Sequence, residues 1–375
     1  MPDTSRIIIS GFGLSGCLLT RMLLEKEHPF FSLVLIDEHF QTDPKHLCFM
    51  RNEKIPEQYI KRSWSRISMT DAKGNAIIRD LKQEKYRLLD WQKIFDETLS
   101  LCKEDPRVTL IKGRVQKFHE TSNEVQVRIE DGDDIIGDKL FNSIRLGTSK
   151  SDLLQQFKGA IVEFDEAVYD PEKASLMDFH SHKSSKDVEF KYELPFSRTK
   201  ALIEYTIITS NPISKAELDK RFSKLLENMS SVRSISKEES GAIPMPSKVF
   251  KPQHSTRTMH IGIAGGFQRR SSGYLLQTIH DQLDNWAEFA FSSSLPKLKK
   301  DELKEYLDTV FLSVIKSKPS LSQSLFLAMF RGTSGDQFLR FMFNPMKLRS
   351  ILPIVLSLPK RPFLKHAAIH FKSLF

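Results

Sequence analysis

The apolar positions of this chain change their period several times along its length, and each change marks an element. Arg6-Ile-Ile-Ile-Ser10 carries a short β-branched apolar run, the mark of a strand buried on both faces. After a glycine-rich turn, Leu14, Leu18 and Met22 fall on one side of a helix. Ser32-Leu-Val-Leu-Ile36 is a second buried strand. Short strands are expected between Trp64 and Asp80, with Lys73-Gly-Asn75 the clearest turn. Trp91 to Leu101 reads as a helix capped by Asp90, with Ile94, Phe95, Thr98 and Leu101 on its inner side. Val108-Thr-Leu-Ile111 is a strand, and Lys139 to Leu146 another. Between them Val115 to His119 and Glu124 to Ile129 form a hairpin that turns at Ser122-Asn123.

From Gln155 onward alternation dominates. Gln156 to Glu163, Ala174 to Phe179, Val188 to Leu194 and Ala201 to Thr209 all read as strands of one antiparallel sheet, joined by polar loops such as 181–187. Ser214 to Asn228 returns to helical spacing through Leu218, Phe222 and Leu225. Met259 to Gly266 is expected as a strand ending in paired glycines, and Ser271-Ser-Gly-Tyr274 as the opening of a helix that runs to Phe291. The remainder is helical, broken at Pro319, Pro345, Pro353, Pro359 and Pro362.

The first turn carries chemistry. Gly11, Gly13 and Gly16 fit G-x-G-x-x-G, with Leu14 and Ser15 at the start of the following helix. Such glycines serve a tight turn, a close backbone approach to a pyrophosphate, and close packing of helix on strand. The helix N-terminus adds free N–H groups and a positive dipole for the phosphates. By themselves three glycines are only a flexible loop; a preceding strand, a following helix and an acid at the end of the second strand complete the fingerprint. That acid is Asp37, placed to hold an adenosine ribose. The position of the fingerprint at the start of the chain favours FAD over NAD. A second cluster, with Gly265 and Gly266 followed by Ser272 and Gly273, reads by itself as a turn, and with the first as another wall of a flavin site.

The fold expected is therefore α/β. An FAD-binding, Rossmann-like domain of the glutathione-reductase type spans 1–150 and resumes at 251–295. An antiparallel β-sheet substrate domain is inserted at 151–250, and a helical cap fills 296–375. Hydrophobic residues at 40% and charged residues at 27% suit a folded globular chain of this length. The net charge of +9 serves solubility or attraction to an anionic membrane surface. No nucleic-acid motif or Lys/Arg block accompanies it. Cys17, Cys48 and Cys102 are odd in number and far apart, which suits a reducing compartment and gives neither a disulfide framework nor a zinc site. The first strand begins within six residues of Met1, leaving no signal peptide, and no run approaches the roughly 18 apolar residues of a spanning helix. The expected place is the cytoplasm, at the membrane periphery.

Together these segments resemble the lycopene cyclase flavoproteins, in particular the bacterial lycopene β-cyclases, over nearly the whole length. The resemblance rests on Gly11 to Gly16 with Asp37, Tyr86 to Phe95, Phe141-Asn-Ser-Ile144 and Gln156-Phe-Lys-Gly159. It continues through Leu176-Met-Asp-Phe179, Tyr192 to Ser197, Ala201-Leu-Ile-Glu-Tyr-Thr206, Glu239 to Met245, Ala264-Gly-Gly266 with Ser271 to Tyr274, and Phe338-Leu-Arg-Phe341. It implies an acid-initiated closure of the ψ ends of a linear carotene into β-ionone rings. There is no net redox change, and the FAD is kept reduced by NAD(P)H. No metal is implied.

Glu204 matches the catalytic acid of that family. A glutamate in a strand ordinarily points to solvent; the resemblance assigns this one to an apolar site, where desolvation would keep it protonated. Many relatives carry a second acid directly after it, where this chain has Tyr205. Asp178 and Glu239 are secondary acids by the same resemblance, each either orienting the acid or flavin or anchoring structure. His180 and His182 lack a third ligand and read as a surface pair. Leu47, Met50 and Ala160 stand where relatives carry aromatics expected to line a tunnel, and Arg270 where they carry proline. Phe330, Phe338, Phe341 and Phe343 are further candidates for the tunnel wall. Lys347, Arg349, Lys360, Arg361 and Lys365 beside Ile351, Leu352 and Leu364 suit a monotopic membrane footing or an ordinary solvated cap. Two other functions remain open: a different FAD-dependent enzyme of polyisoprenoids (a reductase, or a cyclase of another carotene), and a non-catalytic carotenoid- or flavin-binding relative.

Overall fold

The computed structural model describes residues 5–25, 30–42, 45–50, 54–145, 153–180, 186–298, 301–343 and 348–371. The chain opens with β1 (Ser5–Ser10), α1 (Leu14–Glu25) and β2 (Phe31–Asp37). β3 (Cys48–Met50), β4 (Ile60–Trp64), β5 (Arg66–Thr70), β6 (Ala76–Asp80) and β7 (Tyr86–Leu89) lead into α2 (Trp91–Glu104). β8 (Val108–Lys112), β9 (Val115–Glu120), β10 (Val125–Ile129), β11 (Asp134–Gly137) and β12 (Lys139–Asn142) follow. Next come β13 (Leu153–Phe164), β14 (Lys173–Asp178), β15 (Val188–Pro195), β16 (Lys200–Thr209), α3 (Lys215–Glu227), β17 (Val232–Met245) and β18 (Thr258–His260). The rest is helical: α4 (Leu276–Phe291), α5 (Glu302–Ser317), α6 (Ser322–Arg331), α7 (Gly335–Phe343), α8 (Leu348–Ser357) and α9 (Lys360–His370).

β18, β12, β1, β2 and β8 form a parallel sheet in that order. Ile8, Val34, Ile36 and Leu140 project from one face onto Val115, Val125, Val127 and Ile129 of the small β9–β10–β11 sheet. Ile7, Ile9, Leu33 and Leu35 project from the other face toward α1 and α4, which explains why the apolar runs are continuous and not alternating. This is the α/β, Rossmann-like domain that the fingerprint predicts.

A seven-stranded sheet, ordered β17, β13, β16, β15, β14, β5, β6, forms the second layer. It is antiparallel except where β14 pairs parallel with β5. Two of its strands thus come from residues 66–80 and five from 153–245, so one sheet draws on both sides of position 150. Ala160, Val162, Ile203, Tyr205 and Ile207 pack under Leu218, Phe222, Leu225 and Leu226 of α3. The alternate residues face the rest of the molecule, and that face carries the candidate site.

Several expectations are corrected. Asp90 precedes α2, but its side chain caps no N–H. Leu101 is exposed, and Cys102 takes the inner position with Trp91, Ile94, Phe95 and Thr98. The strand expected over 259–266 shrinks to β18, because Gly262 and Gly266 adopt left-handed φ of 59° and 72° and turn the chain. Gly273, at φ 77°, likewise delays the helix start from Ser271 to Leu276. Pro353 lies inside α8, and Pro362 in the first turn of α9, where a missing N–H costs no helical bond. Pro345 and Lys347 lie outside the described residues, as do His182 and Leu146.

Candidate functional site

The first glycine turn is held by close contacts. Gly11 adopts φ 89° and donates its N–H to Ile36 O at 2.8 Å. A Cβ on Gly16 would fall 2.0 Å from Gly11 O, so only glycine lets α1 sit this close to β1. Gly13 faces open space. Gly262 rests on Ser15, where an added Cβ would lie 2.3 Å from the serine Oγ. The two glycine clusters, far apart in sequence, are thereby brought into contact. Asp37 accepts from the amides of Phe12 at 2.8 Å, His39 at 3.0 Å and Phe40 at 3.1 Å, which uses three of its roughly four acceptor positions.

Next to this turn opens a cavity of about 970 Å³ that reaches the C-terminal helices. Gly13, Leu14, Ser15, Ser143, Ser272 and Gly273 line one end. Gly265 and Gly266 stand behind the wall: a Cβ on Gly265 would meet His260 O at 2.4 Å. The turn after them is bolted down by two buried arginines. Arg269 pairs with Asp308 at 3.4 Å and donates to Met342 O at 2.8 Å. Arg270, in place of the relatives' proline, donates to Ser247 O at 2.9 Å and Thr309 Oγ1 at 2.8 Å, clamping the turn to α5.

Three buried polar atoms on the cavity wall have no partner: Trp91 Nε1, Gln268 Oε1 and Ser272 Oγ. Buried polar groups are rarely left so, and here they point to a polar ligand in the cavity. With the open space over Gly13, they fit a flavin dinucleotide.

Glu204 lies on the cavity face of β16 with Thr206 and Ile208. Thr206 Oγ1 donates to its Oε1 at 2.7 Å. Burial, and then the charge of Glu239, push its carboxyl up to about 8 against the smaller pull of that hydrogen bond. Both influences favour the neutral carboxylic acid over the anion. Gly159 of β13 stands in register with Glu204 on one side and Glu239 of β17 on the other. Glu239 is buried and meets His46 Nδ1 at 2.6 Å. Close by, Tyr86 Oη lies 2.7 Å from Tyr192 Oη and 3.1 Å from Tyr274 Oη, and Tyr192 donates to Cys48 Sγ at 3.3 Å. Burial pushes the Cys48 thiol up to about 12, so this cluster is neutral.

Asp178 stands apart. It pairs with Lys191 at 3.3 Å, accepts from His180 N at 2.9 Å, and is not on the cavity wall. Tyr205 is turned to the opposite face by strand alternation and donates to Glu189 at 2.7 Å under α3. Ala160 belongs to that same face, so an aromatic there would pack on α3 and not line a tunnel. Met50 is core, while Leu47 lines the cavity. Phe338 and Phe341 line it; Phe330 backs Phe338 edge-on at 5.0 Å, and Phe343 backs Tyr274 at 4.3 Å. His180 covers the Gly74 turn. His46 and Gly159 were not singled out from sequence: His46 lies in a polar loop without period, and Gly159 reads only as a weak strand residue. Among the described residues no group of three His, Cys, Asp or Glu side chains is placed to hold a metal ion.

A family model described as "Lycopene cyclase protein" matches residues 6–368. Among curated relatives, neoxanthin synthase of Solanum tuberosum and capsanthin/capsorubin synthase of Capsicum annuum are each 28% identical over 210 residues. Each match covers 51% of this chain and 42% of the plant protein. Among solved structures, a geranylgeranyl bacteriochlorophyll reductase-like protein of Thermoplasma acidophilum aligns over 100% of both chains with a TM-score of 0.63 at 11% identity. The flavin-dependent halogenase BrvH from Brevundimonas aligns over 100% of this chain and 97% of its own, with a TM-score of 0.59 at 11% identity. These likenesses establish the fold as that of flavin-dependent enzymes.

Proposed function

The chain belongs to the lycopene cyclase family, and from that premise we propose that it is a lycopene β-cyclase that closes the ψ ends of a linear carotene into β-ionone rings. The observation that carries this reading is Glu204, a neutral carboxylic acid on the wall of a long, largely apolar cavity. Its proton passes to the terminal double bond, leaving a tertiary cation. The neighbouring double bond attacks that cation and closes the six-membered ring. Loss of one ring proton to the Glu204 carboxylate then restores the acid, so the reaction is an isomerisation without net redox change. Apolar walls, Leu47, Met177, Phe190, Phe338 and Phe341 among them, keep out water that would quench the cation. Phe338 and Phe341 add aromatic surface to that wall, the Phe341 ring carrying the Arg269 guanidinium 4.7 Å from its centroid.

Gly13, Leu14, Ser15, Ser272 and Gly273 would hold FAD, with Gly11, Gly16, Gly265 and Gly266 shaping the turns behind them, Asp37 bracing the first turn, and NAD(P)H as the source of electrons. When bound and reduced, the flavin supplies an electron-rich ring that stabilises positive charge. The basic and apolar C-terminal helices support a peripheral membrane seat for so apolar a substrate.

The test is pigment analysis of lycopene-accumulating cells that express the wild type or Glu204→Gln. Wild type is expected to yield γ- or β-carotene, and the variant to leave lycopene. Rings from both would remove Glu204 as the acid. Flavin-loaded protein that forms no ring but consumes NAD(P)H in step with substrate would replace the cyclase reading with a reductase; one that binds carotene and does neither would be a non-catalytic relative.

A further inference from the structure

Glu204 and Glu239 rise from the same face of the large sheet on either side of Gly159, since residues in register across antiparallel strands share a face. Nothing but a glycine separates them: an added Cβ there would lie 3.3 Å from Cβ and Cγ of Glu204. Burial of Glu204 beside the charge of Glu239 disfavours ionising both, and without a further influence one proton would be divided between them. His46 supplies that influence. Its Nδ1 lies 2.6 Å from Glu239 Oε1 and its backbone N–H donates to Oε2 at 3.3 Å. The side chains are only 9% and 6% exposed, and the Phe196 ring stands 6.3 Å from the imidazole. So short a contact between buried partners has the length that a charge-assisted hydrogen bond takes.

We propose that the His46–Glu239 pair is a positioning device that confines the transferable proton to Glu204. His46 holds Glu239 as the anion, and Glu239 as the anion leaves Glu204 as the carboxyl that carries a proton toward the substrate. The inference rests on Glu204 being the acid. In each cycle Glu204 loses one proton to the substrate and regains one from the ring, while His46 and Glu239 keep their protonation throughout. Of the other groups near Glu204, Tyr192 of β15, Cys48 of β3, Tyr86 of β7 and Tyr274 before α4 are neutral. Glu238 of β17 is bound to Lys158 of β13 at 2.5 Å, Arg269 to Asp308 of α5, and Lys45 beside His46 is exposed.

Two measurements on the flavin-loaded protein test this: the pH profile of kcat for ring formation, and the protonated carboxyl bands in difference infrared spectra, assigned with Glu204→Gln. The acid works while protonated, so activity is present below its titration and lost above it. Removing the negative neighbour in Glu239→Gln is expected to move that alkaline limb about one pH unit lower. Removing the His46 imidazole in His46→Gln is expected to divide the proton, giving two carboxyl bands in place of one and a kcat about twofold lower at unchanged KM. The double variant should restore a single band. Folded, flavin-binding variants that keep the wild-type limb and band would overturn the inference. The expected infrared changes in a protein that makes no ring would leave the proton confinement standing and remove the cyclase reading instead.

Discussion

The place of Glu204 on the cavity face depends on a neighbour across the strand that has no side chain. Gly159 leaves room for the glutamate to lie along the sheet, and a methyl group there would come within 3.1 Å of Ile203 O and 3.3 Å of Glu204 Cβ. Gly159 is not in the left-handed region, and the register of β13 against β17 shifts only after it, so Gly159→Ala should lower the melting temperature only slightly. Shifting the acid by a few tenths of an ångström should still lower kcat by about tenfold, because proton transfer depends on close alignment. Equal losses of stability and activity would mean that the glycine serves folding alone. The resemblance, and not the strand pattern by itself, singles out this residue in the sequence. Glu239 comes from the resemblance alone, since Ser234-Ile-Ser-Lys-Glu-Glu-Ser-Gly241 is a polar stretch without alternation, and His46, in a polar loop without period, is not singled out.

The elements read best from sequence are those with one wet and one dry face, or none. The apolar runs of β1 (Ile7 to Ile9) and β2 (Leu33 to Ile36) are buried, and α3 shows its Leu218, Phe222, Leu225 stripe plainly. Ser214, expected at the helix start, accepts from Glu217 N as an N-cap. β17 escaped because it is an edge strand with most side chains exposed, so burial wrote no period into it. The pairing of β5 with β14 escaped because contacts between residues about a hundred positions apart leave no local pattern. The sheet's two faces also separate stability from chemistry. Phe222 packs beneath Ile203, Tyr205 and Ile207, on the face away from the cavity. Phe222→Ala should therefore cost about 3–5 kcal/mol in denaturant unfolding. Flavin content and ring formation per folded molecule should stay at wild-type values; a loss of either would show that the two faces are coupled.

At the scale of the whole molecule, the cavity runs from the glycine turns to α8 and α9, and its far end is where the surface is most apolar. Val355 and Leu364 line the cavity while 43% and 65% exposed, so they stand at its mouth. Around them Leu352 is 56% exposed, Leu356 61% and Ile369 60%. Lys360, Arg361 and Lys365 share these helices. No helix among the described residues is long and apolar enough to cross a membrane. Apolar side chains rimmed by cations match the interface of an anionic bilayer, where the leucines enter the acyl boundary and the lysines meet headgroups. A carotene dissolved in that bilayer would then reach Glu204 without passing through water. Co-sedimentation should show tighter binding to anionic than to neutral vesicles, weakened by salt because part of the attraction is electrostatic. Two leucines at roughly 1.5 kcal/mol each imply that Leu356→Glu with Leu364→Glu lowers vesicle partition by about a hundredfold. Ring formation in cells should fall in parallel, with the flavin retained. Binding that ignores both lipid charge and these substitutions would place the substrate's entrance elsewhere.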